Sequence, residues 1–522
     1  MSKRDLEDVA FIREEFARFA AMGFRQYMRH VEEYPDDKMQ SIQMPEGGHR
    51  PIGKAASLRF WQLAERRLQR ETDAAGIDVA TLQALIRREF IDAFIAQKKP
   101  VEQKFVDRML HKAVKAARLK HRVITHYIPC VIMTDASPPQ FSIGPIRFLT
   151  RSLFYEQFRA QIEADYLEQN AEQDKKLEQL IAEGKYHRKD VPNAEESARI
   201  DQLTLESIFG YYDSFVWIAE VRVPACEPKV SRQRANQATQ AALDVLKLFF
   251  GHHGAVDFRL AHDRGKPHKT AHLTRREDGV FHWEIGRQGE GAFVKSGWYE
   301  RMQSESSWAL EAAGSAIEAY LTPSVESEHR DRWLGALTWY GQATRDQLPA
   351  GQLVKYVAAL ERLTVTDHTP INGVTDTVTR RTALLSVSEY SEDVLTKART
   401  DARTIYKWRS NLMHGRSSPL TKELASVMHL AYRTAQQALF VALHLLVNLE
   451  ASGRRTGRDL EDRYLELERE LPPQEKARNA FVAELERLSY RLRAAGTRIR
   501  GRERSLVMRA AAASRKLAAK LE

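Results

Sequence analysis

Residues 406–416 read Tyr406-Lys407-Trp408-Arg409-Ser410-Asn411-Leu412-Met413-His414-Gly415-Arg416. Gly415 is a natural helix terminator, because glycine enters the left-handed conformation that closes many helices without steric cost. The residues before it then form the last turns of a helix, with Arg409 and His414 five positions apart. At ~100° per residue those side chains leave the helix ~140° apart, so they converge only through the length of arginine and the frayed last turn. Ser418-Pro419 offers an N-cap and first-turn pair for the next helix. Its apolar stripe runs through Leu424, Met428, Ala431, Ala435, Ala438, Ala442 and Leu446.

Working back from the motif, the period stays helical to about Ser304. Trp308, Ala312, Ile317 and Tyr320 mark one helix, stopped at Pro323; Trp333, Leu334, Leu337 and Tyr340 mark a second. Leu353, Val357, Leu360 and Leu363 mark a third, ahead of a turn-rich loop from Thr364 to Gly373, and Val374 to Val387 forms a fourth. Residues 303–452 are therefore an expected all-helical bundle, with the motif at a helix end inside it.

The chemistry of the pair suits phosphodiester cleavage in RNA. A histidine can move a proton at the ribose 2′-hydroxyl or the leaving oxygen, and the forked donors of an arginine can hold the phosphate and its developing charge. The spacing alone is unspecific: Arg25 to His30 repeats it, and Arg276 to His282 is one residue wider. Context separates Arg409/His414: a tyrosine one turn before the arginine, a helix-ending glycine, and an apolar helix after it. Without further context, a Tyr/Arg/His cluster at a helix end can equally cap the helix and tie it to a neighbour.

The string resembles the Arg-x4-6-His motif of the HEPN ribonucleases, and specifically the ApeA-like HEPN family. The resemblance extends to Ala336-Leu337-Thr338-Trp339-Tyr340, Ala359-Leu360-Glu361 and Arg380-Arg381-Thr382-Ala383-Leu384-Leu385. It implies a bundle that dimerises to bring two motifs into one composite, metal-independent ribonuclease site, with Arg409 and His414 in the catalytic roles. It implies no cofactor, and a role in bacterial antiphage defence or as a toxin. Many HEPN members carry Asn directly after the arginine; here Ser410 stands there, as in the ApeA-like version, with Asn411 next. Glu361 is a candidate for the acidic group that some HEPN nucleases use, against a plain reading as a surface glutamate. Tyr406 is read as a packing residue that can also position substrate.

The N-terminal half is expected to be helical and mixed α/β over 1–205, with a further α/β segment over 206–302. Residues 1 to about 120 read as helical apart from a loop at Tyr34–Pro51. Val101–Arg122 is an amphipathic helix with Lys104, Arg108, Lys112 and Lys115 on one side, either an RNA-backbone groove or a solvated face. Val123–Thr134, Phe141–Thr150, Phe215–Val223, Val256–Leu260 and Val280–Ile285 read as strands, with a hairpin turn at Asp278-Gly279. Glu156–Ile200 reads as a polar helical stretch and Ala235–Phe250 as a helix. His252, His253, His262, His268, His272 and His282 crowd one segment, but no His-Glu-x-x-His or cysteine pairing accompanies them, so no metal site is expected.

A chain of 522 residues exceeds one core and implies several domains. Its 43 % hydrophobic content is globular, and two cysteines support neither a disulfide framework nor a cysteine zinc site. The start of the chain lacks an apolar signal region, and the most apolar run, Ala438 to Val447, is too short to span a bilayer; the expected location is the cytoplasm, away from membranes. Of the formal charge of +10, a net +8 lies in Gln474–Glu522, with 13 Lys/Arg against 5 Glu. That basic helical tail, part of 453–522, carries a Phe481, Leu485, Leu488, Leu492 stripe. It fits a homodimer contact, an RNA backbone or the body of the protein equally well. A sensor in the N-terminal half, answering to a phage or cellular trigger, completes the expected organisation; the rival expectation is a non-catalytic binding or dimerisation module.

Overall fold

The computed structural model describes residues 3–34, 40–44, 48–70, 76–185, 193–254, 257–264, 268–275, 281–288, 291–292, 294, 296–322, 327–369, 373–387 and 391–470. The described residues are mostly helical, with a small antiparallel sheet in the N-terminal half. The chain forms two compact units. The first comprises 1–126 and 222–236, the second 127–221 and 237–522. The tail from 471 onward, Asp278-Gly279 and Pro323 lie outside the described residues.

In the first unit, α1 (Lys3–Ala21) and α2 (Phe24–Glu33) lead into a two-stranded hairpin of β1 (Gln40–Gln43) and β2 (His49–Ile52). The reading of Tyr34–Pro51 as a loop is thereby corrected. Its Pro- and Gly-rich composition suits the turn, while pairing of Gln40 with Ile52 and of Gln43 with His49 makes the strands. Helices α3 (Lys54–Arg70), α4 (Val79–Phe90) and α5 (Gln103–Arg118) complete the unit. Ile12 and Phe16 of α1, Phe60 of α3, Ile86 and Phe90 of α4 and Met109 of α5 share one core. Asp5 and Asp8, buried on α1, are neutralised by Arg66, with Arg70 joining Asp5 and Arg59 joining Asp8.

The second unit contains most of a five-stranded sheet in the order β4-β5-β6-β3-β7. Its strands are β3 (Arg122–Val131), β4 (Gln140–Ile143), β5 (Ile146–Thr150), β6 (Trp217–Cys226) and β7 (Arg259–Leu260). The single strand expected over Phe141–Thr150 is a hairpin instead, because Gly144 turns the chain at φ +56°. A Cβ on Gly144 would lie 2.4 Å from the Cα of Gly314, so two glycines let the turn rest directly on the bundle. Between β5 and β6 come α6 (Arg151–Ala182) and α7 (Ala194–Tyr212). After β6, α8 (Pro228–Gly254) starts seven residues earlier than the periodicity alone indicates, with proline in its first turn. A short α9 (Ala261–Arg264) and a separate hairpin of β8 (His268–Arg275) and β9 (Phe281–Gln288) precede the bundle.

The bundle comprises α10 (Trp298–Leu321), α11 (Glu328–Arg345), α12 (Pro349–Thr364), α13 (Val374–Leu385), α14 (Glu392–Met413), α15 (Glu423–Ala451) and α16 (Gly457–Glu470). Helix α12 packs against α11, α13, α14 and α15, and α16 packs on α11 and α15. The expected start of α15 at Ser418-Pro419 is corrected to Glu423. The Ser418 hydroxyl accepts from the amide of Leu420, two residues on, and so closes a turn rather than capping a helix.

Arg381 of α13 is fully enclosed. It donates to the Thr364 carbonyl at 2.9 Å, to the Thr369 hydroxyl at 3.2 Å and to the Glu461 carboxylate of α16 at 2.9 Å. The hydroxyls of Thr366 and Thr369 donate to the same carboxylate at 2.6 and 3.1 Å. Burial alone raises the Glu461 carboxyl, but these hydrogen bonds and the Arg381 charge overcome it and hold the group below the usual carboxylate range. Removing one partner strands the other charge away from water, so Arg381→Ala or Glu461→Ala is expected to cost ~3–5 kcal/mol in urea unfolding at pH 7. A carboxyl depressed in the folded state stabilises above its unfolded pKa of ~4.3 and loses that contribution as pH falls through the folded value. The gap between wild type and Glu461→Ala is therefore expected to close below pH ~4, whereas a constant gap across acid pH would contradict the ion pair.

Candidate active site

Helix α14 buries Leu395, Ala402 and Ile405 and packs against α12, α13 and α15. Its end is closed by backbone chemistry. The amide of Arg416 donates to the Asn411 carbonyl at 2.7 Å and that of Gly415 to the Leu412 carbonyl at 3.1 Å, a Schellman closure with Gly415 at φ +66°. His414 is the C-cap residue, at φ −98° and ψ 10°. The termination at Gly415 read from sequence is thus observed. A Cβ at Gly415 would meet nothing within 4 Å, so the demand for glycine there is purely conformational. Gly415→Ala is expected to lower stability by ~1–2 kcal/mol in urea unfolding, with Gly415→Asn less damaging. Equal stability of Gly415→Ala and wild type would contradict this closure.

The Arg409 guanidinium is 3.3 Å from the Glu361 carboxylate of α12, and its central carbon lies 5.7 Å from the ring centroid of Tyr406. Its Nε is buried without a hydrogen-bond partner. A guanidinium with one long ion pair and a side chain 29 % exposed retains donor capacity for a second anion at its terminal nitrogens. Burial raises the Tyr406 hydroxyl above its ordinary value, and the nearby Glu361 carboxylate adds to this, so the phenol keeps its proton and can donate a hydrogen bond. Thr375, in the first turn of α13, also hydrogen-bonds Tyr406. The sequence reading did not include Thr375; no periodicity or spacing relates it to a tyrosine 31 residues away.

His414 is exposed, and among the described residues its ring has no hydrogen-bond partner. No hydrogen bond or ion pair joins it to Arg409 among those residues. Arg409 turns toward α12 while His414 faces solvent at the helix end, in keeping with their angular separation. Ser410 and Asn411 act here through their carbonyls, which accept from the amides of His414 and Arg416 and so hold the cap. Met413 and Leu420, before and after the histidine in the chain, are 59 % and 88 % exposed.

Lys104, Arg108, Lys112 and Lys115 stand exposed along α5, opposite its buried Val106, Met109, Leu110, Ala113 and Val114. They belong to the first unit and α14 to the second. Lys104 pairs with Glu102 at 3.1 Å and Lys112 with Glu89 at 3.7 Å, both largely in solvent. Among the histidines, His268 and His272 fall on β8 and His282 on β9. No group of three or more His, Cys, Asp or Glu is arranged to hold a metal ion among the described residues, and no described helix is long and apolar enough to cross a membrane. No family model, curated protein or solved structure matches this chain.

Proposed function

We propose that the chain is a metal-independent endoribonuclease of the HEPN type, reacting at Arg409 and His414. The observation that carries the reading is the state of the two side chains at one helix end. His414 is exposed with an uncommitted ring, and Arg409 is held by one long ion pair, to Glu361 at 3.3 Å. In the reaction, His414 takes the proton of a ribose 2′-hydroxyl or supplies one to the leaving 5′-oxygen. The 2′-oxygen attacks phosphorus and the bond to the 5′-oxygen breaks, leaving a 2′,3′-cyclic phosphate and a 5′-hydroxyl. Arg409 holds the phosphate as charge builds on it. An incoming phosphate competes with Glu361 for the guanidinium, and Tyr406 sets the guanidinium plane.

A homodimer supplies the second Arg/His pair, and the exposed Met413 and Leu420 provide apolar surface beside the motif for such a contact. The exposed cations of α5 are candidate RNA-backbone contacts. In this reading the chain is a cytoplasmic antiphage or toxin effector, and residues 1–300 answer to its trigger. One observation favours a different reading: the Arg409–Glu361 pair ties α14 to α12, as a purely structural arginine would in a non-catalytic binding or dimerisation module.

RNA cleavage in EDTA by wild type, Arg409→Ala and His414→Ala separates the two readings. The nuclease reading expects cleavage by wild type and losses of ~10²-fold or more in both folded variants. Undiminished cleavage by the variants, or its abolition by EDTA, would contradict it. No cleavage by any of the three fits an untriggered enzyme and the binding module alike.

A further inference from the structure

Helices α6 and α7 leave most of their surface bare. In α6 only Phe154 is buried, and in α7 only Phe209 among the residues whose burial is described. Isolated helices gain little from propensity alone and depend on burying an apolar face. Leu167, Ile200 and Leu203 are instead half exposed, at 50, 50 and 54 %. Between the helices runs an open groove of about 580 Å³. Leu167, Leu205 and Phe209 give it an apolar lining, and Glu163, Asp201 and Glu206 add carboxylates. Arg159, the cation in this lining, is committed to Glu163 at 3.0 Å and lies over the Phe209 ring at 4.7 Å. The two helices together carry 11 Asp/Glu against 5 Lys/Arg, a net −6.

An apolar groove in an acidic surface fits an amphipathic segment of opposite charge and repels nucleic acid. The sequence contains such a segment. Gln474–Glu522 carries a net +8, and Phe481, Leu485, Leu488 and Leu492 repeat at intervals of four, three and four residues, the spacing of one helix stripe. We propose that the groove between α6 and α7 is the docking site of the chain's own basic segment 474–522. The leucine stripe then covers Leu167 and Leu205 while the flanking arginines face the net negative surface of α6 and α7. The proposal is independent of the nuclease reading.

Hydrogen exchange on the full chain tests it, using wild type, Leu167→Asp/Leu205→Asp and Leu485→Asp/Leu488→Asp, each at two protein concentrations. Residues 481–492 are expected to exchange more slowly than in a free peptide of the same sequence. The groove variant is expected to speed that exchange roughly tenfold or more while α11 and α12 stay unchanged. The tail variant is expected to speed exchange reciprocally in 159–167 and 201–210, a response that simple damage to the hairpin would not produce. Free-peptide rates in the wild-type tail, or a tail indifferent to the groove variant, would overturn the proposal. So would protection that is lost on dilution, which assigns the groove to the tail of a second copy.

Discussion

One guanidinium, that of Arg381, sets the geometry on which the bundle depends. It sits at 1 % exposure and draws together the end of α12 through Thr364, the following loop through Thr369 and the last described helix through Glu461. Such an ion pair is a poor source of net stability, because desolvating both charges offsets most of their attraction. What it supplies is position: few other arrangements of α12, α13 and α16 satisfy the same donors and acceptors. Around it, Tyr464 places its ring 4.6 Å from the guanidinium carbon and donates its hydroxyl to the Leu363 carbonyl at 3.0 Å.

The candidate site inherits that geometry. Helix α12 carries Glu361 to Arg409, and the first turn of α13 carries Thr375 to Tyr406. Asp376, one residue further, pairs with Arg380 at 3.0 Å and approaches Arg403 of α14 at 3.9 Å. Two helices fixed by a buried ion pair therefore hold the flank of α14, while Gly415 frees its end. The result is a half-buried, oriented arginine and, five residues on, an exposed histidine. The proposed cleavage would use that division, with a pre-oriented group for the phosphate and a proton carrier free to reach its substrate.

Local signals in the sequence were enough where they dominate the free energy. The helices of the bundle follow from apolar stripes, and the end of α14 follows from one glycine. The hairpin at 40–52 escaped notice because strand pairing is a non-local contact between two four-residue segments without an alternating apolar pattern. The early start of α8 had a signal in Pro228, whose missing amide suits a first turn. Ser418-Pro419 misled because a serine hydroxyl can close a short turn as readily as it caps a helix. At the site, Arg409, His414, Tyr406 and Glu361 were named from the sequence, and the structure brings three of them together: Arg409, Tyr406 and Glu361. Thr375 was illegible, since its role arises only when α13 packs against α14.

The proposed reaction makes the 2′-oxygen of RNA the nucleophile, activated by a side chain. Its most direct test is cleavage in EDTA of one RNA oligonucleotide against a copy bearing a 2′-O-methyl group at every position, with the ends of the products identified. The account predicts cutting of the unmodified RNA alone, with 2′,3′-cyclic phosphate and 5′-hydroxyl ends. Cutting of the methylated copy, or 5′-phosphate ends, would require water as the nucleophile and would contradict the account.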